Sequence, residues 1–213
     1  MMNRREFSWA CAAALASGTV GVANAQGAFE SGKDYVPLPK PAPVDAPSGK
    51  VEVVEFFMYS CPHCNAFEPS LAEWIKHVPK DVAVRRVPVP FDRSPARQQL
   101  YYTLEAMGLI ERIHGKVFQA IHVERKSLDT PEAIADWVAT QGVDRSKFLE
   151  QFNSFSVSSK VSRGNQLMNA YRVEGVPAMG VAGRFYTDGV LTRSMPRTLQ
   201  VVDYLVGEVR KGR

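Results

Sequence analysis

The chain has 213 residues, a formal net charge of +4 at pH 7 and three cysteines. Its length suffices for one domain with a substantial core, or for one domain that carries a large insertion, so the fold does not need disulfides. The sequence contains no run of five like charges, and its charge therefore gives little support to nucleic-acid binding.

Residues 1–25 have the pattern of a cleaved signal peptide. Arg4 and Arg5 form a basic start, residues 9–22 are mostly apolar, and the small residues 23–25 fit a cleavage site. The apolar stretch is shorter than the roughly 20 residues of a membrane span, which disfavours an uncleaved anchor. We expect an exported, soluble protein that begins near Gln26. The paired arginines leave both the Sec and the twin-arginine export routes open.

Cleavage would also change the set of cysteines. Cys11 would leave with the signal peptide, and Cys61 and Cys64 would remain. One pair in a chain of roughly 190 residues excludes a small fold that is held together by disulfides. The pair is therefore a candidate for chemistry.

The first elements after the signal predict a β-α-β unit. Five prolines within residues 35–47 favour an extended arm. Residues 51–58 are rich in β-branched and aromatic side chains, which indicates a buried central strand, and residues 82–89 return to a strand pattern. Between them we expect a helix over residues 62–77, with Ser60 as a cap and Pro62 near its first position. Such a unit is a right-handed crossover.

The rest of the chain is predominantly helical. Apolar residues recur every three or four positions from about residue 94 to 155, without an intervening strand. Thr130 and Asp144 are predicted helix caps. We then expect a helix near residues 160–171, a β-hairpin whose strands flank Ala182-Gly183, and a last helix over residues 197–211.

Together these elements predict an α/β fold with an inserted all-helical domain. The expected division is a signal peptide at residues 1–25, an α/β domain formed by residues 26–93 and 160–213, and a helical insert at residues 94–159. Phe67, Leu71 and Trp74 have helical spacing and are predicted to pack in the core.

The Cys61-Pro62-His63-Cys64 sequence at the start of a helix predicts a redox pair of unequal cysteines. The unpaired N–H groups and the dipole of the first turn favour negative charge on Cys61, which we expect to be exposed at the helix tip. His63, when protonated, would add to this effect. Cys64 would lie beneath the first turn.

A stabilised thiolate decides the direction of the reaction. It stabilises the reduced protein, so the disulfide becomes a stronger oxidant. One pKa unit is worth about 1.4 kcal/mol, or roughly 30 mV for a two-electron couple. A lowered pKa of Cys61 therefore favours oxidation of other thiols.

The sequence leaves three other interpretations of the pair: a structural disulfide, half of a zinc site, and a chance meeting. A ring of four residues constrains the unfolded chain little. Zinc needs three or four ligands, and the histidines show no ligand spacing. We expect His77 to be solvated at a helix end, and His114 and His122 to lie at the surface or at the edge of the core.

The segments EFFMYSCPHC at residues 55–64 and GVPAM at residues 175–179, with the helical insert, resemble the DsbA family of periplasmic dithiol oxidases over nearly the whole mature chain. The Pro-His pair between the cysteines distinguishes this family from thioredoxins, which usually carry Gly-Pro. The resemblance implies a thioredoxin-like fold with an inserted helical domain. It also implies a low thiolate pKa and an oxidising couple.

The resemblance also implies roles for further residues. Pro177 would follow a cis peptide bond and lie against the redox pair, while Val176 would present backbone groups to an extended substrate. Glu55, in a strand that we expect to be buried, would be the acid that moves a proton to or from Cys64. Arg86 stands roughly where the family often has a lysine, which puts its pairing with Glu55 in doubt. An exposed position of Glu55 at the sheet end is the alternative.

The function implied is a periplasmic thiol:disulfide oxidoreductase that oxidises unfolded exported polypeptides with free thiols. A DsbB-like, quinone-linked membrane oxidase would reoxidise it, without a bound cofactor or metal in this chain, and we expect a monomer. The nearest alternative is a periplasmic isomerase or reductase. A chaperone or metal-binding module without redox activity is an alternative of another class.

Overall fold

The computed structural model describes residues 29–212. The predicted signal peptide lies outside these residues. Within them, no helix is both long enough and apolar enough to cross a membrane.

The described chain forms one mixed sheet with helices on both faces. The strands are β1 (Val36–Pro37), β2 (Val51–Phe57), β3 (Val82–Pro88), β4 (Ala178–Val181) and β5 (Phe185–Asp188). The helices are α1 (Pro62–His77), α2 (Pro95–Ala106), α3 (Ile110–His122), α4 (Pro131–Thr140), α5 (Arg145–Phe152), α6 (Phe155–Tyr171), α7 (Gly189–Thr192) and α8 (Met195–Arg210). The strand order is β1-β5-β4-β2-β3.

Strand β2 lies inside the sheet, as its apolar sequence predicts. All seven of its residues are buried. It pairs in parallel with β3 and antiparallel with β4. Because side chains alternate along a strand, Val51 and Val53 face helices α1 and α8, whereas Val54 and Phe56 face α6. Glu55 follows the first set and therefore faces α1.

Several predicted elements are confirmed. Helix α1 has the expected bounds, and Thr130 and Asp144 cap α4 and α5 by accepting backbone N–H groups. The hairpin is formed by β4 and β5. The proline-rich arm is extended and contributes β1, whose edge position next to β5 suits residues that lack a backbone donor.

Two local predictions differ from the structure, and one short helix was not predicted. Ser60 is not the cap of α1; Cys61 has the extended backbone of the cap, and its sulfur accepts the N–H of Cys64. Helix α6 begins at Phe155 and not near residue 160, because Ser154 caps it through the N–H of Val157. The short helix α7 was not predicted, because it has only four residues and begins with a glycine.

The helical segment after β3 shares its core with the start of α1. Phe57, Tyr59, Cys61 and Cys64 belong to the same apolar cluster as the buried side chains of α2 to α5. The boundary expected at residues 159 and 160 falls within the continuous helix α6. The division of the chain into two domains remains a prediction.

Candidate active site

The two cysteines occupy the first turn of α1 and are free thiols in this structure. A turn leads into the helix, with the N–H of Cys61 donating to the carbonyl of Met58 at 3.1 Å. The N–H of Cys64 donates to Sγ of Cys61 at 3.4 Å. The sequence-predicted pair therefore lies at the helix start as expected, with Pro62 at a position that needs no donor.

The two thiols are unequally accessible and unequally acidic. Cys61 keeps 7% of its surface exposed and Cys64 none, so Cys61 is less exposed than predicted. The pKa of Cys61 is lowered from 9.0 to about 6, first by a hydrogen bond with the Cys64 thiol. Backbone N–H groups of Cys64 and His63 and the charge of His63 act in the same direction, against burial. The same thiol–thiol bond, followed by burial, strongly raises the pKa of Cys64.

Val176 and Pro177 lie beside the cysteines, as the resemblance implies. Their peptide bond is cis, and the Cys61 thiol donates to the carbonyl of Val176 at 3.5 Å. Both residues border an open cleft of about 460 Å³, together with His63, Gly175 and residues that follow β5. Two segments of the chain that are more than a hundred residues apart in sequence therefore meet at the sulfur of Cys61.

Glu55 lies in the protein interior near the pair. It is 1% exposed, which rules out the alternative of an exposed sheet end. Burial raises its pKa to about 8, although the charge of Arg86 acts in the opposite direction. Arg86 lies directly opposite Glu55 in β3, with its Nε 3.6 Å from Oε2 of the carboxyl group. The pairing that the sequence left in doubt is thus present.

Glu68 of α1 competes with Glu55 for Arg86, and the sequence analysis did not identify it. Two guanidinium nitrogens of Arg86 donate to Glu68, at 2.5 and 3.1 Å. The buried cation is therefore shared between two carboxyl groups. Glu68 lies one helical turn after Cys64. Its charge and this spacing are the features of the sequence that could have identified it as part of the site.

The histidines divide into three environments. His77 is exposed at the end of α1, as predicted, and His122 is partly buried at the edge of the core. For His114 the prediction was wrong, because it is only 4% exposed and packs among aromatic rings. Within residues 29–212, no three histidine, cysteine or acidic side chains form a group that could hold a metal ion.

Comparison with known proteins places this geometry in a family. Residues 52–197 match the model of the DSBA-like thioredoxin domain, which covers the cysteine pair, the helical segment and the cis-proline. The chain belongs to the DsbA family. Its fold class is therefore confirmed as thioredoxin-like, and its enzyme class as thiol:disulfide oxidoreductase.

Individual DsbA proteins are similar over most of their length. The chain is 46% identical to the thiol:disulfide interchange protein DsbA of Bordetella parapertussis over 204 residues, which cover 94% of this chain and 95% of that one. It is 44% identical to the protein of the same name from Burkholderia cepacia over 181 residues, 84% and 85% of the two chains. The crystal structure of Pseudomonas aeruginosa DsbA aligns with a TM-score of 0.82 at 42% identity, covering 86% of this chain and 96% of that one.

These matches confirm the dithiol oxidase function that the resemblance to DsbA predicted.

Proposed function

We propose that this protein donates the disulfide between Cys61 and Cys64 to newly exported, unfolded polypeptides with free thiols in the periplasm. The observation that carries this proposal is the opposite displacement of the two thiol pKa values, to about 6 for Cys61 and upward for Cys64. A thiolate that is stable at neutral pH is a good leaving group, and it favours the reduced state of the protein.

The first step is attack by a substrate thiolate on Sγ of Cys61. The bond between Cys61 and Cys64 breaks, a bond between the substrate sulfur and Cys61 forms, and Cys64 takes the electron pair as a thiolate. Because Cys64 is fully buried, its negative charge is costly there and requires a proton. Glu55 supplies that proton, since a carboxyl group with a pKa of about 8 is mostly protonated at neutral pH.

The second step completes the transfer. A second substrate thiolate attacks the substrate sulfur of the mixed disulfide, a disulfide forms in the substrate, and Cys61 leaves as a thiolate. The substrate has lost two electrons, and the cysteine pair of this protein has gained them. Hydrogen bonds from Cys64 and from the backbone of residue 63 stabilise the departing sulfur, while the charge of His63 assists them.

The substrate chain binds along Val176 and Pro177. An extended polypeptide can form main-chain hydrogen bonds with Val176, and such bonds do not depend on the substrate's side chains. The adjacent cleft of about 460 Å³ offers space for one side chain near the attacked sulfur. Pro62 and His63, both exposed, border the path of the approaching thiol.

A DsbB-like membrane oxidase that passes electrons to a quinone would restore the disulfide. This chain requires no cofactor for the exchange itself, because both half-reactions occur between sulfur atoms. We further propose a monomer, exported by the signal pattern of residues 1–25, in which residues 94–159 form the inserted domain and residues 26–93 and 160–213 the thioredoxin-like domain.

The test is the redox equilibrium of the purified mature protein with glutathione, combined with denaturant unfolding of both redox states between pH 5 and 9. We expect an oxidising couple and a reduced form that is more stable than the oxidised one at neutral pH. The pKa of Cys61 is lower in the folded than in the unfolded reduced chain, so this advantage is complete above about pH 9. It is lost as the pH falls through about 6.

A Cys61→Ser variant is the control, because it should lose both the exchange activity and this pH-dependent advantage. A reducing couple would contradict the proposal and indicate a reductase or isomerase. Suppression of aggregation by Cys61→Ser at the wild-type level, without oxidase activity in the wild type, would indicate a chaperone instead.

A further inference from the structure

The turn of residues 58–61 joins β2 to the reactive helix, and Tyr59 and Ser60 form its corner. The hydrogen bond between the Cys61 N–H and the Met58 carbonyl closes this turn at 3.1 Å. Tyr59 is 1% exposed, so its hydroxyl and carbonyl groups need partners within the protein. None of the steps of the exchange reaction uses this residue.

Helix α3 supplies both partners of Tyr59. A hydrogen bond joins the Tyr59 hydroxyl to Nδ1 of His114 at 2.8 Å, and Nε2 of His122 donates to the Tyr59 carbonyl at 2.8 Å. The ring of Phe118 packs between these two contacts, 5.1 Å from the ring of Tyr59. His114, Phe118 and His122 are each four residues apart and therefore lie on one face of α3.

Ser60, the other corner residue, is held by the loop between β3 and α2. The hydroxyl of Ser60 donates to Asp92 at 2.6 Å, and Arg97 at the start of α2 donates to the same carboxyl group at 3.0 Å. Tyr59 therefore contacts helix α3, and Ser60 contacts the loop between β3 and α2. The turn has few ways to shift without breaking a hydrogen bond.

We propose that His114 and His122 are positioning residues that hold the turn before Cys61 and thereby set the reactivity of its sulfur. The inference rests on the proposed function and assigns to α3 a part in it. The other ring nitrogen of His114, Nε2, contacts Arg86 and lies 3.4 Å from Glu68, so both polar atoms of this buried ring have partners.

The physical link is the position of the Cys61 sulfur relative to α1. Its thiolate is stabilised by the Cys64 thiol and by N–H groups of the first helical turn, and such bonds weaken steeply when their geometry is lost. When the carbonyl of Tyr59 is released, the turn samples other conformations and these bonds form for less of the time. The thiolate of Cys61 is then less stable.

The test compares two replacements of His122. His122→Phe keeps a ring that can pack on Phe118 but removes the donor, whereas His122→Gln retains an N–H donor near the original position. We expect His122→Phe to raise the pKa of Cys61 by about half a unit. This shift corresponds to a change of about threefold in the equilibrium constant with glutathione, in the direction of a less oxidising couple. His122→Gln should stay much closer to the wild type.

The pKa is measured from thiolate absorbance at 240 nm as the pH is raised, and the couple from equilibrium with glutathione. Tyr59→Phe tests the His114 contact in the same way and should shift both quantities in the same direction. His77→Gln, which changes an exposed histidine of α1, should leave both unchanged.

Unchanged values in His122→Phe and Tyr59→Phe would overturn the inference. So would equal destabilisation of the oxidised and reduced forms, because that result means a purely structural role. Failure of the proposed function is distinguishable, since it would show as a reducing couple in the wild-type protein itself.

Discussion

The two cysteines show how position within one helical turn separates the properties of identical side chains. Cys61 caps the helix and accepts hydrogen bonds, while Cys64 lies wholly inside the core and donates both its N–H and its thiol to Cys61. The dipole and free N–H groups of the helix are sufficient to predict the direction of the shift at Cys61. The largest contribution nevertheless comes from the partner thiol, which the spacing alone does not reveal.

The raised pKa of Glu55 can be tested through the pH dependence of stability. Its pKa is about 8 in the folded protein and about 4.5 for an ordinary glutamate, so the folded state binds its proton more tightly. Ionisation therefore costs stability as the pH rises from about 4.5 to 8. In the reduced protein, we expect the free energy of unfolding of the wild type to fall by about 4 kcal/mol over this range, relative to Glu55→Gln.

The measurement is urea unfolding of reduced wild type and variant at several pH values, where the contribution of Cys61 cancels between them. Glu150→Gln, at an exposed position of α5, should keep the wild-type pH dependence. Parallel curves for wild type and Glu55→Gln would contradict a raised pKa of Glu55.

At the level of elements, the close contact between α6 and β4 depends on a glycine. The ring of Tyr171 lies over Gly180, where an added Cβ would be 2.6 Å from Cζ of the ring. The ring cannot easily move, because its hydroxyl accepts the N–H of Gly183 at 2.9 Å and the ring packs against that of Phe56, with centroids 5.2 Å apart. This contact helps to hold β4, and with it the residues that follow the cis peptide bond, against the sheet.

We therefore expect Gly180→Ala to destabilise the protein by about 1–3 kcal/mol, the usual cost of overpacking a core. Gly115→Ala is the matched control, since an added Cβ there meets no atom within 4 Å. In the interior of α3 that change should stabilise the protein by about 1 kcal/mol. Equal effects of the two substitutions in thermal unfolding would show that the contact with Tyr171 is not decisive.

For the whole molecule, the important feature is a core shared between the helical segment and the redox site. The cysteines pack in one cluster with residues of α2 to α5, and α6 continues from that segment onto the sheet. A helical segment that helps to bury the active-site cysteines cannot unfold without exposing them. We therefore expect the two predicted domains to unfold as one cooperative unit.

Trp74 and Trp137 allow this to be measured, because one lies in α1 and the other in α4. The mature chain should contain only these two tryptophans, since Trp9 belongs to the predicted signal peptide. In each of Trp74→Phe and Trp137→Phe, the fluorescence of the remaining tryptophan should follow the same urea transition as far-UV circular dichroism. Separate transitions in either variant would indicate independent domains.

The amino-acid sequence alone determined the elements and the chemistry whose causes are local. The CPHC segment with its flanking strand and helix, the caps at Thr130 and Asp144, and the hairpin around residues 182 and 183 depend on nearby residues. The resemblance to the DsbA family added the cis peptide bond at Pro177, which the structure contains, and the role that we propose for Glu55. No local pattern reveals either of them.

Only the tertiary structure decided which distant residues surround the cysteines. The contacts of Tyr59 with His114 and His122 join positions 55 and 63 residues apart, and the contact of Cys61 with Val176 joins positions 115 apart. Likewise, the sharing of Arg86 between Glu55 and Glu68 follows from the packing of α1 on the sheet. The position of a histidine in a helical sequence does not show whether it lies at the surface or in the core. Its environment depends on which elements pack against it.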